Sequence, residues 1–346
     1  MAGMRAVAQR AEVSLSTVSA VLGSGTNKYV SEEVRRKVLA AAQELGYTPP
    51  AKAESRTKTI AVILPVITSS FFSNVLSGVE GFVFKEKKMM LYYNTNYEFE
   101  REQECLHMLK HQHPQGIILS SVCPRGQEDA YHRWIKKTFI DRGIFVVIIE
   151  KRVEMEGFYS VFVDNFQAEK QAVEHLISLG HRRIAYLYGN YKVSLSDDRF
   201  EGYKSALQDA GIPYEPGLIR YGDFTPASGY MAMRELLDFG EEFTAVASAN
   251  DQMAIGAIKA AKQTGKSVPE DIAFIGFDNL SVSTLIDPAL STIHVPTYQM
   301  GRMAAQIIGD LMQGIECVSQ NILESSLIVR KSSEISASNE WEMFGW

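Results

Sequence analysis

The stretch VSLSTVSAVLGSG, Val13 to Gly25, is rich in hydroxyl side chains and holds neither acid nor base, so it cannot run acid–base chemistry. Hydroxyls and methyls on one helical face can instead hydrogen-bond phosphates and meet base edges, an apolar carbon matching a thymine methyl. A second set of chemically capable residues stands just after short apolar runs. Ser69, Phe71 and Phe72 stand in ITSSFFSN, Asp164 after SVFV, and Arg199 in SLSDDRFEGY. Phe224 stands in GDFTPASGY, Asn250 in ASANDQMAIG and Asp278 in FIGFDN. A charged fork, two carboxylates, an amide and aromatic faces suit a polyhydroxylated ring, because carboxylate and guanidinium bind vicinal hydroxyls while C–H faces stack on aromatics.

Other chemistries find no support in the residues. There is no GxGxxG after a strand, no GxSxG elbow, no GxxxxGK[ST] and no HExxH. Cys105, Cys123 and Cys317 are odd in number, far apart and in no CxxC pair, which argues against a disulfide framework and a zinc site. His181 in LGHRRIAYL has no metal or nucleophile constellation around it and reads as structural. No metal, no cofactor and no enzymatic activity is expected.

The first set of residues needs helices to hold it. Met4, Val7, Ala8 and Ala11 keep i, i+3, i+4, i+7 spacing, the mark of a first amphipathic helix. Ser14 is a good N-cap for a second, on which Val18, Val21 and Leu22 share a buried face. Ser31 caps a third, with Glu32 and Glu33 at the positive end of its dipole, Val34, Val38, Ala41 and Leu45 along one face, and Gly46 as its stop. Three short helices with a tight turn between the first two make a helix-turn-helix, whose second helix lies in the major groove.

The second set needs sheets. From Thr59 the period changes: TIAVILP, MMLYYN, GIILSS, FVVIIE, SVFVD, RIAYLYG, TAVASA and IAFIGF alternate with helical stretches such as 98–110, 168–179 and 251–264. Fully apolar strands alternating with helices predict parallel sheets covered on both faces, and so many strands predict two α/β lobes. Ligands of such folds bind outside the carboxyl ends of the strands.

The chain has 346 residues, enough for two or three domains, with 46% hydrophobic and 22% charged residues, ordinary values for a globular protein. Its apolar runs are too short for a membrane span, and its opening residues lack a secretory apolar core, so the cytoplasm is expected. The net charge of -6 is uneven. Residues 1–58 carry nine basic against five acidic side chains, +4 in all, which leaves -10 for the remainder. A basic head on an acidic body predicts that the head alone meets a polyanion.

RAVAQRAEVSLSTVSAVL and then VSEEVRRKVLAAAQELGYTP resemble the DNA-binding head of the LacI/GalR family of bacterial transcription regulators, where DVAxxAGVSxxTVSRVLN and VSxxTRxRVxxAxxxLGYxPN recur. The resemblance runs to about Arg330. It implies a homodimeric regulator, more often a repressor, that reads a palindromic operator in double-stranded DNA. It also implies a periplasmic-binding-protein-like core closing on a small-molecule effector, with three crossings between lobes near Asp164, Ser291 and Leu323. The implied DNA contacts are Ser14, Leu15, Ser16, Thr17, Ser19 and Ala20, with Lys52 and Arg56 in the hinge. The implied effector contacts are Ser69, Phe71, Phe72, Asp164, Arg199, Phe224, Asn250 and Asp278.

The implied organisation is a helix-turn-helix domain at 1–48, a hinge at 49–58, a core at 59–335 and a tail at 336–346. Lobe 1 of the core takes about 59–163 and 292–323, and lobe 2 about 164–291 and 324–335. Departures from the family pattern shift some expectations. Ala20 replaces the family's usual Arg and Gly23 its Asn, so base specificity rests on Leu15, Ser16 and Ala20. In the linker YTPPAKAESRTKTIAV, Pro50 replaces a capping Asn and Arg56 the Leu that wedges into the minor groove. Weaker operator bending is therefore expected, with Lys52 or Arg56 tracking phosphates or a narrow groove.

Alternatives stay open at this level. Asp164 and Asp278 at strand ends equally suit caps of the next helix, Asp251 suits an N-cap, Arg199 suits a surface pair with Asp197 or Asp198, and Phe71 or Phe72 suits the core. A neutral carbohydrate is favoured over a purine as effector. The competing functions are a binding protein without a DNA role, against which the basic head counts, and a sugar- or nucleoside-processing enzyme, against which the missing motifs count.

Overall fold

The computed structural model describes residues 4–22, 30–45, 59–189, 195–240 and 242–337. Two compact units divide between Lys58 and Thr59. The first holds α1 (Met4–Arg10), α2 (Leu15–Leu22) and α3 (Glu32–Glu44). Ser14 caps α2 by accepting the Thr17 N–H at 3.1 Å, and Ser31 caps α3 by accepting that of Val34 at 3.4 Å. Val7, Ala8, Ala11, Val18, Val38, Ala41 and Ala42 are buried between the three helices, with Val21 and Leu22 half-buried against them. Leu45 caps α3, and Gly46 lies outside the described residues.

The second unit runs β1 (Thr59–Leu64), α4 (Ser70–Lys85), β2 (Met89–Asn94), α5 (Phe99–Gln112), β3 (Gly116–Leu119), α6 (Glu128–Thr138), β4 (Phe145–Ile149) and β5 (Phe158–Val163). It continues with α7 (Asn165–Ser178), β6 (Ile184–Tyr188), α8 (Leu195–Asp209), β7 (Ile219–Tyr221), α9 (Pro226–Asp238), β8 (Ala245–Ser248), α10 (Asp251–Gln263) and β9 (Ala273–Asp278). Then come α11 (Val282–Leu285), β10 (Ser291–His294), α12 (Thr297–Met312), β11 (Gln320–Leu323) and β12 (Ser326–Ile328).

The strands form two six-stranded sheets, ordered β11-β5-β4-β3-β1-β2 and β12-β10-β9-β8-β6-β7. Every pairing is parallel except β10 with β12. In each sheet the second strand of the lobe adds on one side of the first and the third on the other. The strand order thus reverses at β1/β3 and at β6/β8, the places where open α/β sheets leave a crevice at their carboxyl ends.

The chain passes between the sheets at Asp164, between His294 and Thr297, and between Leu323 and Ser326. The middle passage corrects the expected one near Ser291. Thr292, Ile293 and His294 stay in the second sheet because all three pair with both β9 and β12, so lobe 1 resumes with α12 and not at 292.

Glycines set how closely helices pack. A Cβ on Gly301 of α12 would lie 1.9 Å from the Val75 carbonyl oxygen, and one on Gly78 of α4 would lie 2.1 Å from that of Tyr298. In lobe 2, a Cβ added to Gly256 would lie 1.9 Å from the Pro226 carbonyl oxygen and one added to Gly229 2.1 Å from that of Met253. An exposed helical Gly→Ala change gains up to about 1 kcal/mol in propensity. Here the added methyl meets backbone and overpacking prevails. Gly301→Ala and Gly256→Ala are each expected to lose about 1–3 kcal/mol of stability, read by urea denaturation of the full chain; a neutral or stabilising result contradicts the close packing.

Candidate functional site

Residues after seven of the strands and the last residue of an eighth meet in one cleft between the lobes. Lobe 1 contributes Ser69 after β1, Tyr97 after β2, Ser120 and Ser121 after β3, and Glu150 and Lys151 after β4. Lobe 2 contributes Arg199 after β6, Phe224 after β7, Asn250 after β8 and Asp278 at the end of β9. Phe71 and Phe72, in the first turn of α4, complete the aromatic wall.

Arg199 is 4% exposed. Its Nε donates to Asn165 Oδ1 at 2.9 Å, its Nη1 donates to the Ala249 carbonyl, and its guanidinium lies 3.7 Å over the Phe277 ring. Asp278 Oδ1 is 3.8 Å from Nη1, a buried pairing in place of the alternative surface pair of Arg199 with Asp197 or Asp198. Burial pushes the Asp278 carboxyl well above the usual carboxylate range, and the guanidinium pulls it back. Its φ of 118° turns the side chain off the strand, a conformation costly for any residue but Gly.

Asn250 caps α10: Oδ1 accepts the Met253 N–H at 2.9 Å and Nδ2 donates to the Phe224 carbonyl at 3.1 Å. Asp251 is therefore not the cap. Its buried carboxylate accepts from the Leu280 N–H, the Ser283 hydroxyl and the Thr292 hydroxyl at 2.6–2.7 Å, which fixes the turn after Asp278. Asp164 is exposed, caps α7 by accepting the Gln167 N–H at 3.0 Å, and does not line the cleft. Phe71 and Phe72 meet edge to face at 5.0 Å and are both core residues and cleft wall.

Tyr97, Ser120, Ser121, Glu150 and Lys151 are not among the residues singled out by sequence. The rule that finds the lobe 2 residues, inspection of the positions after each apolar run, points to GIILSS and FVVIIE as well. Two buried acids hold this wall. Glu102 accepts from the Ser121 hydroxyl, the Val122 N–H and the Tyr131 hydroxyl at 2.6–2.8 Å, and Glu150 accepts from the Ser120 hydroxyl. Lys151 Nζ is buried and has no hydrogen-bond partner among the described residues. Burial lowers its pKa, and Glu150, Glu102 and Glu128 oppose that.

Contacts cross the cleft at two places, from Tyr97 to Phe224 and from Arg125 to both Asp197 and the Tyr188 hydroxyl, the last at 3.3 Å. Tyr97 stacks on Phe224, centroids 6.2 Å apart and planes 27° from parallel. Arg125 pairs with Asp197, which also accepts from the Tyr188 hydroxyl at 2.5 Å. The site is thus a desolvated pocket with donors and acceptors of both signs, and formal charges that balance between Arg199, Lys151, Glu150 and Asp278.

In the helical unit, Leu15 is 46% exposed, and Ser14 and Ser16 are exposed beside half-buried Thr17. The Ser14 hydroxyl bonds those of Ser16 and Thr17 at 2.7 and 2.8 Å. The side chains of Ser19 and Ala20, and the whole of Lys52 and Arg56, lie outside the described residues.

Comparison with known proteins gives a consistent picture. Residues 3–50 match the family described as bacterial regulatory proteins, lacI family, and residues 173–333 match the periplasmic binding protein-like domain. The HTH-type transcriptional repressor CytR of Escherichia coli (strain K12) is 34% identical over 338 residues, 96% of each chain. The structure of the lac repressor dimer bound to operator and the anti-inducer ONPF matches with a TM-score of 0.72 at 26% identity, over 96% of this chain and 99% of that one. A complex of the transcriptional regulator CelR with cellobiose matches with a TM-score of 0.72 at 29% identity, over 96% of this chain and all of that one.

Glu169 of α7 is buried, its Oε2 has no hydrogen-bond partner among the described residues, and burial raises its pKa from 4.5 to about 8 against the pull of Arg199. A carboxyl raised on folding binds its proton more tightly in the native state. Its contribution is therefore whole below about pH 4.5 and lost as pH rises to about 8. Glu169→Gln is expected to flatten the decline in stability between pH 5 and 8.5, measured as urea midpoints; an unchanged slope would show that Glu169 is ionised throughout.

Proposed function

This chain belongs to the lacI family of bacterial regulatory proteins, and on that premise we propose that it is a homodimeric, cytoplasmic repressor governed by a neutral carbohydrate. It is a DNA-binding transcriptional regulator under effector control, not an enzyme. Among the described residues no helix is long and apolar enough to cross a membrane.

In this reading α2 enters the major groove of a palindromic operator. Leu15 and Ser16 face base edges, with Ala20 beside them, while Ser14, Thr17 and Ser19 position the helix on phosphates. The acidic body keeps DNA off every surface but the basic head.

The observation that carries the effector reading is the convergence of both lobes' strand ends on a pocket of balanced charge. A sugar presents hydroxyls that donate and accept, which suits Arg199, Lys151, Ser120 and Ser121 beside Glu150 and Asp278. Its C–H faces suit Phe71, Phe72, Tyr97 and Phe224. A ligand touching both lobes binds the closed form better than the open one, and that difference is all it can use to shift DNA affinity.

Two measurements test the reading. With about six phosphates neutralised per complex, log K against log salt falls with a slope of about -5 on an operator selected from random DNA; salt-independent binding removes the helix-turn-helix from the account. In a thermal-shift screen, the cognate sugar at about a hundred times its Kd stabilises by about 2.7 kcal/mol. Lys151→Met removes an ammonium that has no hydrogen bond among the described residues, so it should weaken that sugar at least about ten-fold, or about 1.4 kcal/mol. Undiminished affinity in Lys151→Met excludes Lys151 as a ligand donor.

A further inference from the structure

Lys151 lines two cavities. Besides the inner pocket, it and Ser121 line a second cavity of about 540 Å³, walled by α6, the ends of β3 and β4 and the segment 152–155. That volume suits a small molecule. Asp198 is the one residue of lobe 2 that reaches it, and every other lining residue belongs to lobe 1. The cavity is thus a pocket of lobe 1 beside α6, next to the cleft between the lobes and distinct from it.

Two opposite demands meet in this cavity. Lys151 Nζ is buried and has no hydrogen-bond partner among the described residues. An ammonium carries three donors and no acceptor, so one hydroxyl in the inner pocket leaves donors for an occupant on this side. Burial works against its charge, and a carboxylate restores a charge partner as a neutral acceptor does not.

The rest of the polar lining calls for a cation. Arg152 and Glu154 pair with each other at 2.5 Å, which leaves Glu128, Asp129 and Asp198 facing Lys151 alone. Burial together with Asp197 and Asp164 pushes the Asp198 carboxyl up, and a positive group beside it relieves that. His132 supplies no such charge at neutral pH, because burial holds its pKa below 6.5. Glu128 and Asp129 by themselves are ordinary complements of the α6 dipole. The unbonded ammonium beside them is what marks a site. Ile148, Val153 and Met155 give the same cavity an apolar wall, which suits a stem of methylenes between two charged ends.

We propose that this cavity binds an amino acid with a cationic side chain, its carboxylate on Lys151 and its cationic end among Glu128, Asp129 and Asp198. Lysine, ornithine and arginine have that chemistry. The two cavities share one ammonium, so occupancy of either changes the affinity of the other, and by the same factor in both directions.

Isothermal titration of the full chain with L-lysine, L-ornithine and L-arginine tests the site, with L-alanine, cadaverine and glucosamine beside them. One of the three cationic amino acids should bind at least about ten-fold tighter than alanine, which lacks the cationic end, and than cadaverine and glucosamine, which lack the carboxylate. Asp129→Asn, at an exposed position of α6, should weaken that amino acid about three-fold or more. Lys151→Met should weaken it about ten-fold or more. Binding by none of the three, binding matched by alanine, cadaverine or glucosamine, or an affinity that survives Asp129→Asn or Lys151→Met overturns the site. A sugar found in the thermal-shift screen should bind Asp129→Asn as it binds the unaltered chain, so the carbohydrate reading and this site stand or fall separately.

Discussion

A guanidinium keeps its proton at every pH a protein meets, so burying one obliges the fold to surround it with acceptors. Arg199 imposes that obligation on lobe 2. Its partners come from the start of α7, the end of β8 and the end of β9, three places that share no local sequence. Satisfying one cation therefore brings the carboxyl ends of the central strands into register with the second turn of α8. Asp278 is held at a costly φ in the same act, and Asp251 secures the turn behind it through three donors.

Lobe 1 solves the same problem with the opposite sign. Two buried carboxyls, Glu102 and Glu150, gather the serines and the backbone just beyond β3. Lys151 is buried among them with its donors unused among the described residues, an arrangement that costs free energy. The cleft is thus preorganised on the lobe 2 side by bonds the protein makes for itself. On the lobe 1 side it is incomplete in a way that favours an occupant.

Range decides which features are legible in the sequence. The caps Ser14 and Ser31 and the apolar faces of the first three helices are local, and local spacing suffices to read them. The lobe 2 half of the cleft is legible because Arg199, Phe224, Asn250 and Asp278 are chemically conspicuous after apolar runs. Ser120, Ser121 and Glu150 obey the same rule but look ordinary, and only long-range bonds to Glu102 and across β3/β4 give them a role. Asp164 and Asp278 look alike in sequence. They differ because a helix begins directly after Asp164, which consumes its carboxylate as a cap, whereas a turn separates Asp278 from α11. The sheet to which 292–294 belong is a matter of pairing with β9 and β12, which no local pattern encodes.

Rigidity within lobes decides where binding energy goes. In lobe 1, α4 and α12 meet backbone to backbone through Gly78 and Gly301, and in lobe 2, α9 and α10 do so through Gly229 and Gly256. Such contacts have no soft side chain to absorb a displacement, and packed cores do not deform continuously. In the proposed reading, a ligand drawn toward Lys151 on one wall and Arg199 on the other is not accommodated by reshaping either lobe. The adjustment falls on the connections at Asp164, 295–296 and 324–325, and on the contacts that span the cleft, Tyr97 with Phe224 and Arg125 with Asp197 and Tyr188. Hinge motion at these few positions is the response the architecture permits, and it makes effector occupancy a change in the relation of two rigid bodies.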